Sequence, residues 1–100
     1  MSRAEVAVVI PCRDLGRTLG EAVASAHRQI RAPAEVLVVD DGSRDPQTLR
    51  VLAELAADGL RVLRLPPSGL AAARNAGVRA TLSPYVVTLD ADDLLAPDYT

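Results

Sequence analysis

Four short, largely apolar runs recur along the chain at the spacing of strand–helix units. They are Val6-Ala7-Val8-Val9-Ile10, Val36-Leu37-Val38-Val39, Val62-Leu63-Arg64-Leu65 and Tyr85-Val86-Val87-Thr88-Leu89. The first two are continuous and rich in β-branched residues, without the alternation of a half-exposed strand. They read as strands buried on both faces. Pro11 is expected to end the first. Between the runs lie helical patterns. Thr18-Leu19-Gly20-Glu21 predicts a capping box, with Thr18 as N-cap and Glu21 at the third helical position. Ala22, Val23, Ala26 and Ile30 follow at helical spacing, and Pro33 closes the segment. Asp45-Pro46 predicts the N-cap and first residue of a second helix, with Leu49, Leu52, Leu55 and Ala56 as its stripe and Gly59 as its stop. A third helix is expected over 70–80. Alternation of this kind implies βαβ units with right-handed crossovers. The expected class is α/β and Rossmann-like, a mostly parallel sheet of about four strands with flanking helices.

Length and composition narrow the rest. One hundred residues, 49% apolar, allow one domain spanning 1–100 with a single core. Only Tyr85 and Tyr99 are aromatic, so that core is aliphatic. A net charge of -2 excludes a general nucleic-acid surface, which needs a basic stripe. Every one of the 11 basic residues is arginine. Cys12 is the sole cysteine, so no internal disulfide forms, and a reducing, cytoplasmic setting is expected. No apolar run approaches the ~20 residues of a transmembrane segment. The chain stops soon after its densest motif. It is expected to be a piece of something longer, with membrane association, if any, supplied from outside it.

In parallel α/β sheets ligands bind beyond the carboxyl ends of the strands. The polar residues collect there: Cys12-Arg13-Asp14 after the first strand, Asp40-Asp41-Gly42-Ser43 after the second, Asp90-Ala91-Asp92-Asp93 after the fourth. Carboxylates this close repel each other unless a cation neutralises them. Hard cations take oxygen ligands, and Mg²⁺ is usually held by one or two carboxylates plus substrate phosphates. A solvated Asp-rich turn, with Asp93 capping a following helix, is the competing reading. An EF-hand is excluded, because Leu95 stands where its loop needs glycine. Asp40 and Asp41 could accept from a ribose or base, or merely shape a turn. In Gly69-Leu70-Ala71-Ala72-Ala73-Arg74-Asn75-Ala76-Gly77 the small residues suit close packing, and Arg74 could pair with a phosphate or with the aspartates. Arg13 could stack on a nucleobase. Cys12 reads as a small buried apolar residue, and His27 as a surface or packing histidine.

Taken in order, "VVIPCRD", "VLVVDDGSRD", "GLAAARNAGVRA" and "YVVTLDADDLLAPDY" resemble the nucleotide-sugar-binding half of family 2 glycosyltransferases of the GT-A fold. The resemblance covers nearly the whole chain. It implies a glycosyltransferase that takes its sugar from a nucleotide-diphosphate donor, usually a UDP-sugar, with Mg²⁺ or Mn²⁺. Pro11, Arg13 and Asp14 then match the loop lining the base pocket. Asp41 matches the base-binding aspartate, with Asp40 beside it. Gly69, Arg74 and Asn75 border the nucleotide. Asp90, Ala91 and Asp92 match the Asp-x-Asp motif, and Asp92 with Asp93 would reach the metal. Many members carry Tyr-Asn where this chain has Arg13-Asp14, so Arg13 would replace the stacking ring through a cation–π contact. The family's acceptor half and general base lie further along. The acceptor, whether polysaccharide, lipid-linked or protein glycan, is therefore not written in these residues.

Other α/β enzymes fit less well. Haloacid-dehalogenase phosphotransferases and receiver domains need a lysine, and the chain has none. Nucleotidyltransferases and dinucleotide-binding enzymes place a glycine cluster after the first strand, where only Gly16 stands. A truncated, non-catalytic nucleotide-binding or interaction module remains as the alternative.

Overall fold

A computed structural model describes residues 4–29 and 31–95. Its elements run β1 (Ala4–Cys12), α1 (Gly16–His27), β2 (Pro33–Asp41), α2 (Pro46–Ala57), β3 (Arg61–Leu65), α3 (Leu70–Arg79) and β4 (Tyr85–Thr88). All pairings are parallel, and the sheet order is β3-β2-β1-β4. Three layers result. Val8, Ile10, Cys12 and Val38 face α1 and α2, burying Leu19, Ala22, Val23, Ala26 and Leu52. Val9, Leu37 and Val39 face α3 through Ala73. Two-sided burial explains why the first two runs show no polar alternation.

Several boundaries depart from the sequence expectation. β1 continues through Pro11, which pairs with Val39. The carbonyl of Val9 accepts from Leu89 on the β4 side, so Pro11, two residues on, faces that side too. The β4 register ends at Val9↔Thr88, so the missing N–H of Pro11 falls where no ladder partner is required. Pro33 opens β2 rather than closing the preceding helical segment, and Asp40 and Asp41 belong to the strand itself. The capping box does not form. Helix α1 starts two residues before Thr18, with Leu15 as N-cap and no side-chain cap. One of its free N–H groups, that of Gly16, instead donates to Thr48 Oγ1 of α2 at 2.9 Å. Ile30 lies outside the described residues.

The second helix follows its prediction. Asp45 accepts from Thr48 N–H, Pro46 takes the first position, and paired bonds from Gly59 and Leu60 back to Ala56 and Leu55 end it. Gly77 resolves the cost of a glycine inside α3. A Cβ there would press on Val9 Cγ1 and come within 3.0 Å of Val39 Cγ2, so glycine lets α3 lie close on β1 and β2.

Candidate functional site

β1 sits between β2 and β4, and the chain winds first one way from it and then the other. The β1 loop enters α1 on one face of the sheet while α3, which feeds β4, packs on the other, so the winding reverses at β1, and open α/β sheets place their ligands at the carboxyl end of such a strand. A cavity of about 400 Å³ opens there. Pro11, Cys12, Arg13 and Leu15 from the end of β1 and its loop line it, together with Asp90, Ala91 and Asp92 from the segment after β4. Asp41, Gly69 and Leu70 complete the lining. A second cavity of about 540 Å³, between Val23, His27, Leu55 and Leu60, lies towards the opposite end of the sheet and takes in none of the sequence-predicted site residues.

Oxygens of Asp90, Asp92 and Asp93 lie within 4.8 Å of one another, with Asp92 and Asp93 exposed. The donor set is all carboxylate, which suits a hard divalent cation. The sequence reading gave the metal to Asp92 and Asp93, whereas the geometry brings Asp90 into the same cluster. Arg74 reaches across from α3, its Nη2 donating to Asp90 Oδ1 at 3.1 Å. Its Nε is buried and finds no acceptor among the described residues. A buried donor left unpaired costs about 1–3 kcal/mol, so an acceptor arriving with a ligand has something to satisfy.

The remaining predicted residues divide between cavity and scaffold. Arg13 and Asp41 line the cavity, yet both oxygens of Asp41 are already engaged. They accept from Ser68 N–H at 2.7 Å and Gly69 N–H at 3.1 Å, shaping the approach to α3. Asp14 does not line the cavity. Its Oδ1 accepts from the N–H groups of Arg44 and Asp45, each at 2.8 Å, and its own N–H donates to Ser43 Oγ. The backbone amides of Asp45 and Arg44 hold its carboxyl below the usual carboxylate range. Its φ of 54° is a left-handed conformation that Asp tolerates better than most residues. Asp14 thus ties the β1–α1 loop to the β2–α2 loop.

Asp40 is turned away as well. It is wholly buried on the α1/α2 side of β2, accepting from Arg64 Nε and Ser43 N–H, both at 3.2 Å. Successive strand residues point to opposite faces, and here Asp41 lines the cavity while Asp40 turns to the other face and is held there by Arg64 and Ser43. Asn75 is exposed on α3 and does not line it. Cys12 lines it, but burial pushes its thiol up, away from the thiolate a nucleophile needs. The sequence reading missed Leu15 and Leu70. Leu15 and Leu70 are recognisable only by their places beside the β1 loop and at the start of α3.

Residues 7–100 match the family described as glycosyl transferase family 2. The chain belongs to that family. The sheet and its flanking helices are the Rossmann-like part of the family's GT-A fold. Among curated relatives, the succinoglycan biosynthesis protein ExoU of Rhizobium meliloti (strain 1021) is 40% identical over 97 residues, covering 93% of this chain and 28% of that protein. The chondroitin synthase of Escherichia coli is 37% identical over 95 residues, covering 93% and 14%. Among solved structures, S. aureus TarS 1-349 in complex with UDP-GlcNAc superposes with a TM-score of 0.78 at 28% identity, covering 97% of this chain and 28% of that one. The mannosyltransferase PcManGT of Pyrobaculum calidifontis, in complex with GDP-Man and Mn²⁺, gives 0.76 at 27% identity, covering 97% and 30%. This family 2 chain therefore spans less than a third of each of these proteins.

Proposed function

We propose that this chain is the donor-binding part of a metal-dependent glycosyltransferase, holding a nucleotide-diphosphate sugar in the cavity at the carboxyl end of β1. The observation that carries this is that Asp90 and Asp92 line that cavity together with Arg13 and Asp41, and that Asp93 brings a third carboxylate to the same cluster. Asp92 and Asp93, with Asp90, would hold Mg²⁺ or Mn²⁺. The cation's chemistry is to neutralise the diphosphate leaving group as a Lewis acid. Arg13 would lie against the base, and Asp41 would accept from a base N–H with lone pairs not used by Ser68 and Gly69. Arg74 Nε would find its acceptor in the donor. UDP is the first base to test, although the similar structures hold both UDP-GlcNAc and GDP-Man. The succinoglycan and chondroitin relatives favour a growing polysaccharide as acceptor, bound by regions outside these residues. Among the described residues no helix is long and apolar enough to cross a membrane. The composition supports a cytoplasmic setting.

Calorimetric titration of UDP, and separately GDP, with and without Mn²⁺, tests the reading. Binding strengthened by Mn²⁺ and stripped of that increment by Asp92→Ala is expected. A folded wild-type chain that binds neither nucleotide would overturn it and favour the interaction-module alternative.

A further inference from the structure

Two hydroxyl side chains of α1 reach the segment that follows β4. They stand seven residues apart, two helical turns or about 10 Å along the same face. Thr18 Oγ1 donates to the Ala91 carbonyl at 2.7 Å, bridging 73 positions of sequence. Its local acceptor, the Leu15 carbonyl, is further off at 3.3 Å. Ser25 Oγ accepts from Leu95 N–H at 3.1 Å and donates to the Ala22 carbonyl. Asp92 and Asp93 lie between these two attachments. The segment has little structure of its own; Asp93 N–H to the Asp90 carbonyl is the backbone bond it makes within itself. Ala91 is wholly buried in the same core cluster as Leu19 of α1. The peptide between the two carboxylates of the Asp-x-Asp motif is thus fixed from α1, the helix whose N-cap, Leu15, also lines the cavity.

We infer that Thr18 is a positioning residue for the carboxylate cluster. Its hydroxyl holds the Ala91 carbonyl so that Asp90 and Asp92 present their oxygens to one cation, and the cation meets ligands already in place. Groups that hydrogen-bond metal ligands directly typically hold 10–100-fold of metal affinity, and Thr18, acting on the backbone between two of the proposed ligands, should fall at the lower end of that range. The inference rests on the donor-site reading above, and the experiment separates the two.

Thr18→Val keeps the branched shape and removes the hydroxyl; Thr18→Ser keeps the hydroxyl. Mn²⁺ binding is followed by loss of the free-ion paramagnetic resonance signal, and UDP binding by calorimetry with and without Mn²⁺. Thr18→Val is expected to weaken Mn²⁺ binding and its UDP increment by about tenfold, while Thr18→Ser stays near wild type. UDP binding without metal is expected to be unchanged in both. Thr18→Ala carries the same expectation as Thr18→Val should the latter fail to fold. Wild-type affinity in folded Thr18→Val, or equal weakening in the serine variant, overturns the inference and leaves the donor site standing. A wild-type chain whose UDP binding ignores Mn²⁺ overturns both.

Discussion

At the scale of single residues, the aspartates divide into the cluster proposed to hold the metal and those that act as clamps. Asp14 is a clamp, with its carboxyl lowered chiefly by the Asp45 and Arg44 amides. A carboxylate depressed in the fold adds stability that is fully present above its unfolded pKa, about 3.9, and is lost as pH falls through the lower folded value. Asp14→Ala should therefore be less stable than wild type at pH 7, and the difference should shrink below about pH 4 as the wild-type carboxylate protonates. Urea unfolding of both proteins across that range checks it; a difference independent of pH would remove the charge from the explanation. Asp40 makes a different case. It is wholly buried, and Arg64 is its cationic partner. Arg64→Leu strands that carboxylate with Ser43 alone and should cost about 1–3 kcal/mol in urea unfolding, with little effect on UDP binding. Adjacent aspartates look alike in sequence. Only the phase of the strand separates Asp41 on the cavity from Asp40 on the α1/α2 face, and that phase was not legible until β2 was seen to extend through both.

At the scale of elements, the helices were legible where a local signal had no competitor. Asp45-Pro46 caps α2 as its sequence predicts. Thr18 and Glu21 offered an equally regular cap and lost, because Thr48 supplies Gly16 N–H with its acceptor from another helix and the Thr18 hydroxyl is drawn to Ala91. Tertiary bonds outbid local ones at the end of α1 that adjoins the site, and no window of sequence contains both partners. Gly20 and Gly77, both inside helices, show the same division. Gly20 of α1 is exposed, and a Cβ there would meet nothing within 4 Å. Gly20→Ala should stabilise the chain by about 0.5–1 kcal/mol, the ordinary helix preference. Gly77→Ala has the same preference in its favour, about 1 kcal/mol, but must displace Val9 and Val39 side chains buried at the sheet. Overpacking of that kind costs about 1–3 kcal/mol, so the net change should be a loss. Chemical unfolding of both variants beside wild type gives opposite signs if α3 is seated as described. Equal gains would mean that α3 stands further from the sheet.

At the scale of the whole molecule, the sheet has two edges treated in opposite ways. β3 displays Arg61 and Arg64, charges that discourage another strand from pairing. β4 carries Tyr-Val-Val-Thr and no charge, pairs only with β1 among the described residues, and leaves Tyr85 67% exposed beside Leu82 at 94%. An uncharged edge flanked by exposed apolar side chains is a template for association. The sequence already displayed that run as apolar. What it withheld was the strand order, which decides whether such a run is shielded in the middle of the sheet, as β1 is, or left at its margin. Residues 1–100 in isolation should therefore associate through β4, with light scattering that rises with concentration. Tyr85→Lys places a charge on the edge at an exposed position, away from the Asp90–Asp93 cluster. It should keep the chain monomeric where wild type associates and leave Mn²⁺-dependent UDP binding intact. Wild type that stays monomeric at high concentration would show that four strand residues are too few to recruit a partner. Association unaffected by Tyr85→Lys would move the contact elsewhere. If the variant both stays monomeric and binds, the edge and the site are independent, as expected when one lies along the side of the sheet and the other at its carboxyl end.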